Sequence, residues 1–301
     1  MPVLVKETLP AYKTLKGEGI FIMGEKRATS QDIRPLEILL LNLMPLKEVT
    51  ETQLIRYISN SIIQVNITFL KIKDHVSKNT SPLHLNEFYT DIDSIKKKKY
   101  DGLIITGAPV EQMDFSQVSY WEEYKEILEY AEKNITSTIH ICWAAMASLY
   151  HKYGHDKVEY EKKLFGVFKH SIIKENEPLL TGIDEEFLVP HSRHSGIDES
   201  AIINNKSLKV LANSESAGSY LIVEEGYKNI YITGHSEYDY NTLDIEYKRD
   251  LKEGKSIEMP QNYYPDDNAD LKPLNRWRSS GNTLFNNWLN YCVYQITDYE
   301  L

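Results

Sequence analysis

Residues 36–43 read LEILLLNL, apolar at almost every position and closed by Asn42 and Pro45. A short run without polar alternation predicts a strand buried on both faces. The period then changes. Over 47–60, Val49, Leu54, Ile55 and Ile58 recur at helical intervals. VNITFLKI at 65–72 is β-branched and short, and predicts a second strand. A polar stretch follows. DGLIITGAP at 101–109 predicts a strand running into a Gly-Ala-Pro turn. Residues 117–133 place Trp121, Tyr124, Ile127, Leu128 and Ala131 on one helical face. STIHIC at 137–142 predicts a strand, and 143–154 a helix stopped by Gly154. Strand and helix alternate at βαβ spacing, which predicts a mostly parallel sheet with helices on both faces.

Beyond residue 155 the pattern shifts to successive strand-like runs, LFGVFKHSII, FLVPHS, LKVLANS, YLIVEEG and NIYITGH, so this half is expected to be partly antiparallel. Residues 239–253 predict a charged helix and 278–297 a C-terminal helix carrying Trp288, Leu289 and Tyr294. Without a linker between the halves, the expected organisation is an N-terminal arm, 1–35, and a single α/β domain, 36–301.

Composition narrows the classes. Acids outnumber bases 44 to 34, a net charge of -10, which argues against nucleic acid as the main partner. The N-terminus lacks a basic start leading into an apolar run, and the most apolar window, 36–46, is too short to cross a bilayer. With only two cysteines, Cys142 and Cys292, a disulfide framework is not expected, and a reducing cytoplasm is the expected compartment. No Gly-x-Gly-x-x-Gly or Walker pattern supports nicotinamide or ATP chemistry, and the His151/His155 and His191/His194 pairs lack partners for a metal site.

Two places can carry chemistry. Cys142 closes an apolar strand and immediately precedes a helix of small residues. A nucleophile at such a turn stands at the sheet's C-terminal edge, where the backbone N–H groups of the helix N-terminus favour a thiolate and can hold an oxyanion. A buried core cysteine is the plainer reading. The second place is TGHSEYD at 233–239. In extended backbone, residues two apart share a side, so His235 and Glu237 can pair. A carboxylate there fixes the ring tautomer and raises its basicity, as a base for a thiol requires.

The order Cys142, His235, Glu237 resembles the class I glutamine amidotransferase architecture, a flavodoxin-like α/β fold. Longer strings resemble the homoserine O-acyltransferases of methionine biosynthesis: ILLLNLMPLK (38–47), DGLIITGAPVE (101–111), STIHICWAA (137–145), PHSRH (190–194), TGHSEYD (233–239), EYKRD (246–250) and RWRSSGNTLFNNWLNYCVYQ (276–295). The resemblance runs in register along the whole chain. It implies Cys142 as acyl-thioester nucleophile, His235 as proton acceptor and Glu237 as its partner. It implies Lys47 near the acyl carbonyl, and the Trp143 N–H in the oxyanion hole. Lys163, Ser192 and Arg249 match substrate positions, with Arg249 for the homoserine carboxylate and Glu246, one helical turn earlier, for its ammonium. Glu111 and Ser192 match positions tied to acyl-donor choice; glutamate at 111 accompanies acetyl-CoA in the family, and glycine succinyl-CoA. The implied co-substrates are L-homoserine and acetyl-CoA, with no resident cofactor or metal. The aromatic C-terminal helix is a candidate homodimer contact. Ala144 and Met146 depart from the family's usual Gly and Gln after the nucleophile. Succinyl transfer and a glutamine amidotransferase-like hydrolase remain the rival readings.

Overall fold

The computed structural model describes residues 3–18, 34–73, 75, 77 and 79–297. Strands β1 (Val3–Leu4), β2 (Leu36–Leu41), β3 (Val65–Leu70), β4 (Tyr89–Thr90), β5 (Tyr100–Ile105) and β6 (Ile135–Ile141) come from the first half. Strands β7 (Lys157–Ile172), β8 (Glu186–Ile197), β9 (Leu208–Ser214), β10 (Gly218–Glu224) and β11 (Asn229–Ile232) come from the second. Among the described residues they form one sheet in the order β1-β3-β2-β5-β6-β11-β10-β9-β7-β8, with β4 beside β3. Every pair from β1 to β11 along this order is parallel, while the β11-β10, β10-β9, β9-β7 and β7-β8 pairs are antiparallel.

The centre of β2 is sealed on both faces, as a run of leucines requires: Ile38, Leu39, Leu40 and Leu41 are fully buried. One face is covered by helices Pro10–Gly17 and Lys47–Ile58 and the C-terminal helix, the other by Ile92–Ile95, Trp121–Asn134 and Trp143–Tyr153. Of the expected arm, β1 extends the sheet beside β3, and Leu9, Ala11 and Leu15 join the core; residues 19–33 lie outside the described residues.

Some elements differ from the pattern. The polar stretch after β3 holds a helix, Pro82–Phe88, started by Ser81, whose hydroxyl accepts from the Leu83 N–H. Val49 is 47% exposed, because the buried stripe of its helix runs through Lys47, Thr50, Glu51, Leu54, Ile55 and Ile58. Polar residues hold inward positions there, and an apolar count misses them. The C-terminal helix is α-helical over Arg278–Asn287 and widens to a π-helix over Trp288–Tyr294. Trp277 and Trp288 are wholly buried against their own chain, so neither is a surface for a second copy. No described helix is long and apolar enough to cross a membrane.

Candidate active site

β6 ends at Ile141, the next helix begins at Trp143, and Cys142 makes the corner with φ 53° and ψ -112°. A non-glycine residue with positive φ is strained by about 1–3 kcal/mol, and the surroundings must hold it there. The Cys142 N–H donates to the Ile232 carbonyl at 2.7 Å, tying the corner to β11. The Ala145 N–H donates back to the Cys142 carbonyl at 3.0 Å, closing the first helical turn. The N–H groups of Trp143 and Ala144 are those that a helix start leaves without an intrahelical acceptor. Ala144 lies within the helix and is not a positive-φ residue, so its methyl adds no backbone strain. Met146 keeps a weak polar contact, its sulfur accepting from the Ser195 hydroxyl at 3.7 Å.

His235 and Glu237 are both buried and meet at 2.6 Å between Nδ1 and Oε1. They do not meet along an extended strand, as the spacing suggests. β11 stops at Ile232, and the Tyr238 N–H donates to the His235 carbonyl at 3.1 Å, so residues 235–238 close a turn. The turn is tied to β8 by the His235 N–H, which donates to the Pro190 carbonyl at 2.8 Å. β8 stands far from β11 in strand order, so the long β7–β8 hairpin curls over the sheet edge to reach this point. Burial by itself lowers the basicity of the ring. The Glu237 carboxylate and the hydrogen-bonded Cys142 side chain outweigh it and hold His235 well above the usual imidazole range. Nδ1–H is committed to Glu237, which leaves Nε2 for Cys142. A Cβ placed on Gly107, in the turn after β5, would lie 3.3 Å from His235 Cε1 and 3.4 Å from Cys142 Cβ. A methyl there would be tight against both catalytic candidates and would press the imidazole by a few tenths of an ångström.

A second cluster forms around Glu246. Lys163 Nζ donates to its Oε1 at 2.6 Å and the Ser192 hydroxyl to its Oε2 at 2.9 Å. Lys163 comes from β7 and Ser192 from β8, so the same curled hairpin reaches the Thr242–Lys252 helix. Arg249 is half exposed; its Nε donates to Asp250 at 2.8 Å, and its guanidinium stands 3.8 Å from Glu246. The cluster is therefore a partly buried acid with a guanidinium at its rim.

Glu111 turns inward rather than merely capping its loop. Burial pushes its carboxyl up, the His194 N–H donates to it, and Lys163, His235 and Arg193 act on it electrostatically. Its carbonyl accepts from Lys157 Nζ.

Lys47 and Trp143 are placed less directly. Lys47 is buried at the start of its helix, and its ammonium donates to the Asn42 carbonyl. Burial pulls its pKa down to about 8, against the pull of Glu51. The Trp143 indole is fully buried among Phe115, Tyr120 and Tyr124, and among the described residues its Nε1–H has no partner, so only its backbone is available at the corner. Sequence reasoning misses Gly107, Asp250 and Tyr238, whose ring stacks flat on His235 with centroids 4.1 Å apart. The signal for Tyr238 was its place in HSEY, once those residues are read as a turn and not as a strand.

The model of the family described as homoserine O-succinyltransferase matches residues 2–299. Proteins named homoserine O-acetyltransferase from Lachnospira eligens and Ilyobacter polytropus are each 52% identical over 301 residues; the match spans all of this chain and 97% and 100% of theirs. In three dimensions the chain resembles a glutamine amidotransferase from Thermotoga maritima, with TM-score 0.58 and 14% identity over 87% of this chain and 100% of that one. A glutamine amidotransferase from Methylobacillus flagellatus gives 0.51 and 8% over 90% and 99%. The fold is therefore that of the class I glutamine amidotransferases, while the sequence kinship lies elsewhere: the chain belongs to the homoserine O-succinyltransferase family and is an acyltransferase.

Proposed function

We propose that this protein transfers an acetyl group from acetyl-CoA to the side-chain hydroxyl of L-homoserine, through an acetyl thioester on Cys142. His235, oriented by Glu237, takes the Cys142 proton. The thiolate attacks the thioester carbonyl of acetyl-CoA, and the oxyanion is stabilised by the free N–H groups at Trp143 and Ala144, with the Lys47 charge nearby. The C–S bond to coenzyme A breaks, and its thiolate takes the proton from His235. In the second half, His235 accepts the homoserine hydroxyl proton while the oxygen attacks the acetyl carbon. The ester leaves, and Cys142 is again a thiolate beside an imidazolium. Glu246 receives the acceptor's ammonium and Arg249 its carboxylate.

The observation that carries this reading is the partly buried Glu246 carboxylate, held by Lys163 and Ser192 on the hairpin that also anchors His235. Water as acceptor needs no such acid; a zwitterion does. Acetyl as the acyl group rests on the inward-turned Glu111.

The test is intact-mass analysis. Acetyl-CoA alone should add one acetyl group, lost in the Cys142→Ala variant, and L-homoserine should discharge it as O-acetylhomoserine. An adduct that water clears as fast as homoserine would make the protein a hydrolase. Charging by succinyl-CoA alone would overturn the acetyl assignment.

A further inference from the structure

Several buried tyrosines in this protein satisfy their hydroxyls within the fold. Tyr124 meets Ser148 at 2.9 Å, Tyr220 meets Ser236 at 2.6 Å, and Tyr231 donates to Glu224 at 2.6 Å. That is the rule for buried polar groups. Among the described residues Tyr57, Tyr120 and Tyr238 depart from it, and of the three it is Tyr238 whose ring stacks on His235. Its side chain is buried, yet among the described residues its hydroxyl has no hydrogen-bond partner. The oxygen is not sealed in the core either, since it is absent from the unpaired atoms that are cut off from solvent, unlike Trp143 Nε1. It keeps some access to solvent.

The ring has two neighbours of consequence. On one side it lies parallel to the His235 imidazole, at 4.1 Å and 10°. On the other it packs in a cluster with Phe165, Leu243 and Trp277, and the Trp277 indole N–H fixes its backbone by donating to the Tyr238 carbonyl at 2.8 Å. Phe165 pairs with Ser192 across the hairpin and carries the Lys163 ammonium over its face at 4.4 Å. Lys163 and Ser192 are the two residues that hold Glu246. Tyr238 thus stacks on the imidazole and shares a cluster with the ring that Lys163 covers. Its phenol is held neutral by burial and by the negative charge of Glu246, Glu237, Cys142 and Glu111 around it. It stays a donor and an acceptor at working pH.

We propose that Tyr238 has two roles: its hydroxyl contacts the amino-acid acceptor between Glu246 and Cys142, and its ring braces His235. This rests on the acetyl transfer proposed above. An acceptor bound by its ammonium at Glu246 must pass its side chain toward Cys142, and Tyr238, stacked on the base that serves Cys142, has a hydroxyl free to meet it. The acyl donor needs the imidazole but not the hydroxyl, so the two roles separate in the two half-reactions.

The experiment times each half-reaction by quenched intact mass: acetylation of Cys142 by acetyl-CoA, then discharge by L-homoserine over a concentration series. Tyr238→Phe keeps the ring, so acetylation should stay within about twofold. The homoserine concentration for half-maximal discharge should rise about tenfold, the effect of one lost hydrogen bond. Tyr238→Leu removes the stack and should slow both halves. A Tyr238→Phe protein that discharges like wild type, or that loses both halves equally, would overturn the assignment of the hydroxyl. A Tyr238→Leu protein that acetylates at the wild-type rate would overturn the brace. Failure of the wild type to charge with acetyl-CoA at all would instead defeat the reading on which the inference rests.

Discussion

Cys142 shows how much a single residue can be asked to bear. At an ordinary position, glycine is less stable than alanine by roughly 0.5–1 kcal/mol, because the unfolded chain has more freedom to lose. At φ 53° the order should reverse, since a Cβ is what makes that conformation costly. Cys142→Gly should therefore unfold at higher denaturant than Cys142→Ala, by about 1 kcal/mol, with neither variant forming an acetyl adduct. Alanine as the more stable of the two would mean that the corner is not strained. Glu111 makes the other argument at this scale. Two carboxylates about 5 Å apart at an effective dielectric near 20 repel by roughly 3 kcal/mol, about a hundredfold in rate. Succinyl-CoA brings such a carboxylate and acetyl-CoA does not. Glu111→Gly should raise kcat/KM for succinyl-CoA by one to two orders of magnitude relative to acetyl-CoA, measured with both donors on both proteins. An unchanged donor ratio would place Glu111 outside the acyl path.

At the scale of elements, the packing of the C-terminal helix on the sheet decides what the central strands tolerate. Gly102 sits in β5, and an added Cβ would come within 2.8 Å of both Ile38 Cδ1 and the Trp288 ring. Both neighbours are fully buried and cannot give way cheaply. Gly102→Ala should cost about 1–3 kcal/mol, read as a lower denaturation midpoint, and a neutral effect would show that Trp288 can shift. The strands and helices of the first half were legible because their apolar runs have a clear period and length. Cys142 was legible for the same reason, standing where a strand period ends and a helix begins. The His235–Glu237 pair was readable from spacing, but by the wrong geometry, since a turn and not a strand joins them. Glu246 as the centre of a cluster was not readable, because Lys163 and Ser192 reach it through a hairpin whose curl is set by long-range packing. Nor was the helix 82–88, whose Pro82 and Ser81 mark a start that a polar stretch conceals.

Across the whole molecule, buried imidazoles tie stability to pH. In the β7–β8 hairpin, Arg193 Nε–H must donate to His191 Nδ1 at 3.2 Å, so His191 carries its proton on Nε2 and donates it to His170 Nε2 at 3.3 Å. His170 then donates from Nδ1 to the Phe168 carbonyl at 3.0 Å. The chain of bonds is complete only with both rings neutral. In the sheet, His140 bonds Asn229 and Ser148 at 2.9 and 2.8 Å. Burial lowers both His140 and His170 to about 4. Between pH 6.5 and 4 the unfolded chain holds protons at these sites that the fold does not. Stability should therefore fall as pH falls through that window, by on the order of 3 kcal/mol per site. The carboxyls of Glu37, Glu111 and Asp239, pushed up by burial, oppose the trend at its acid end. His235 has the opposite sign and a different window. Held above its unfolded value, it stabilises fully below pH 6.5 and loses that contribution as pH rises toward its folded value. Stability should peak near pH 6.5, the point above which the lowered imidazoles stop costing and the unfolded chain releases the proton that folded His235 keeps. Unfolding followed by denaturant at intervals from pH 4.5 to 8.5 gives the curve, and His235→Gln should flatten its alkaline side while leaving the acid side in place. A wild-type curve that is level from pH 7 down to 5 would mean that the two buried rings accept protons without loss of the fold.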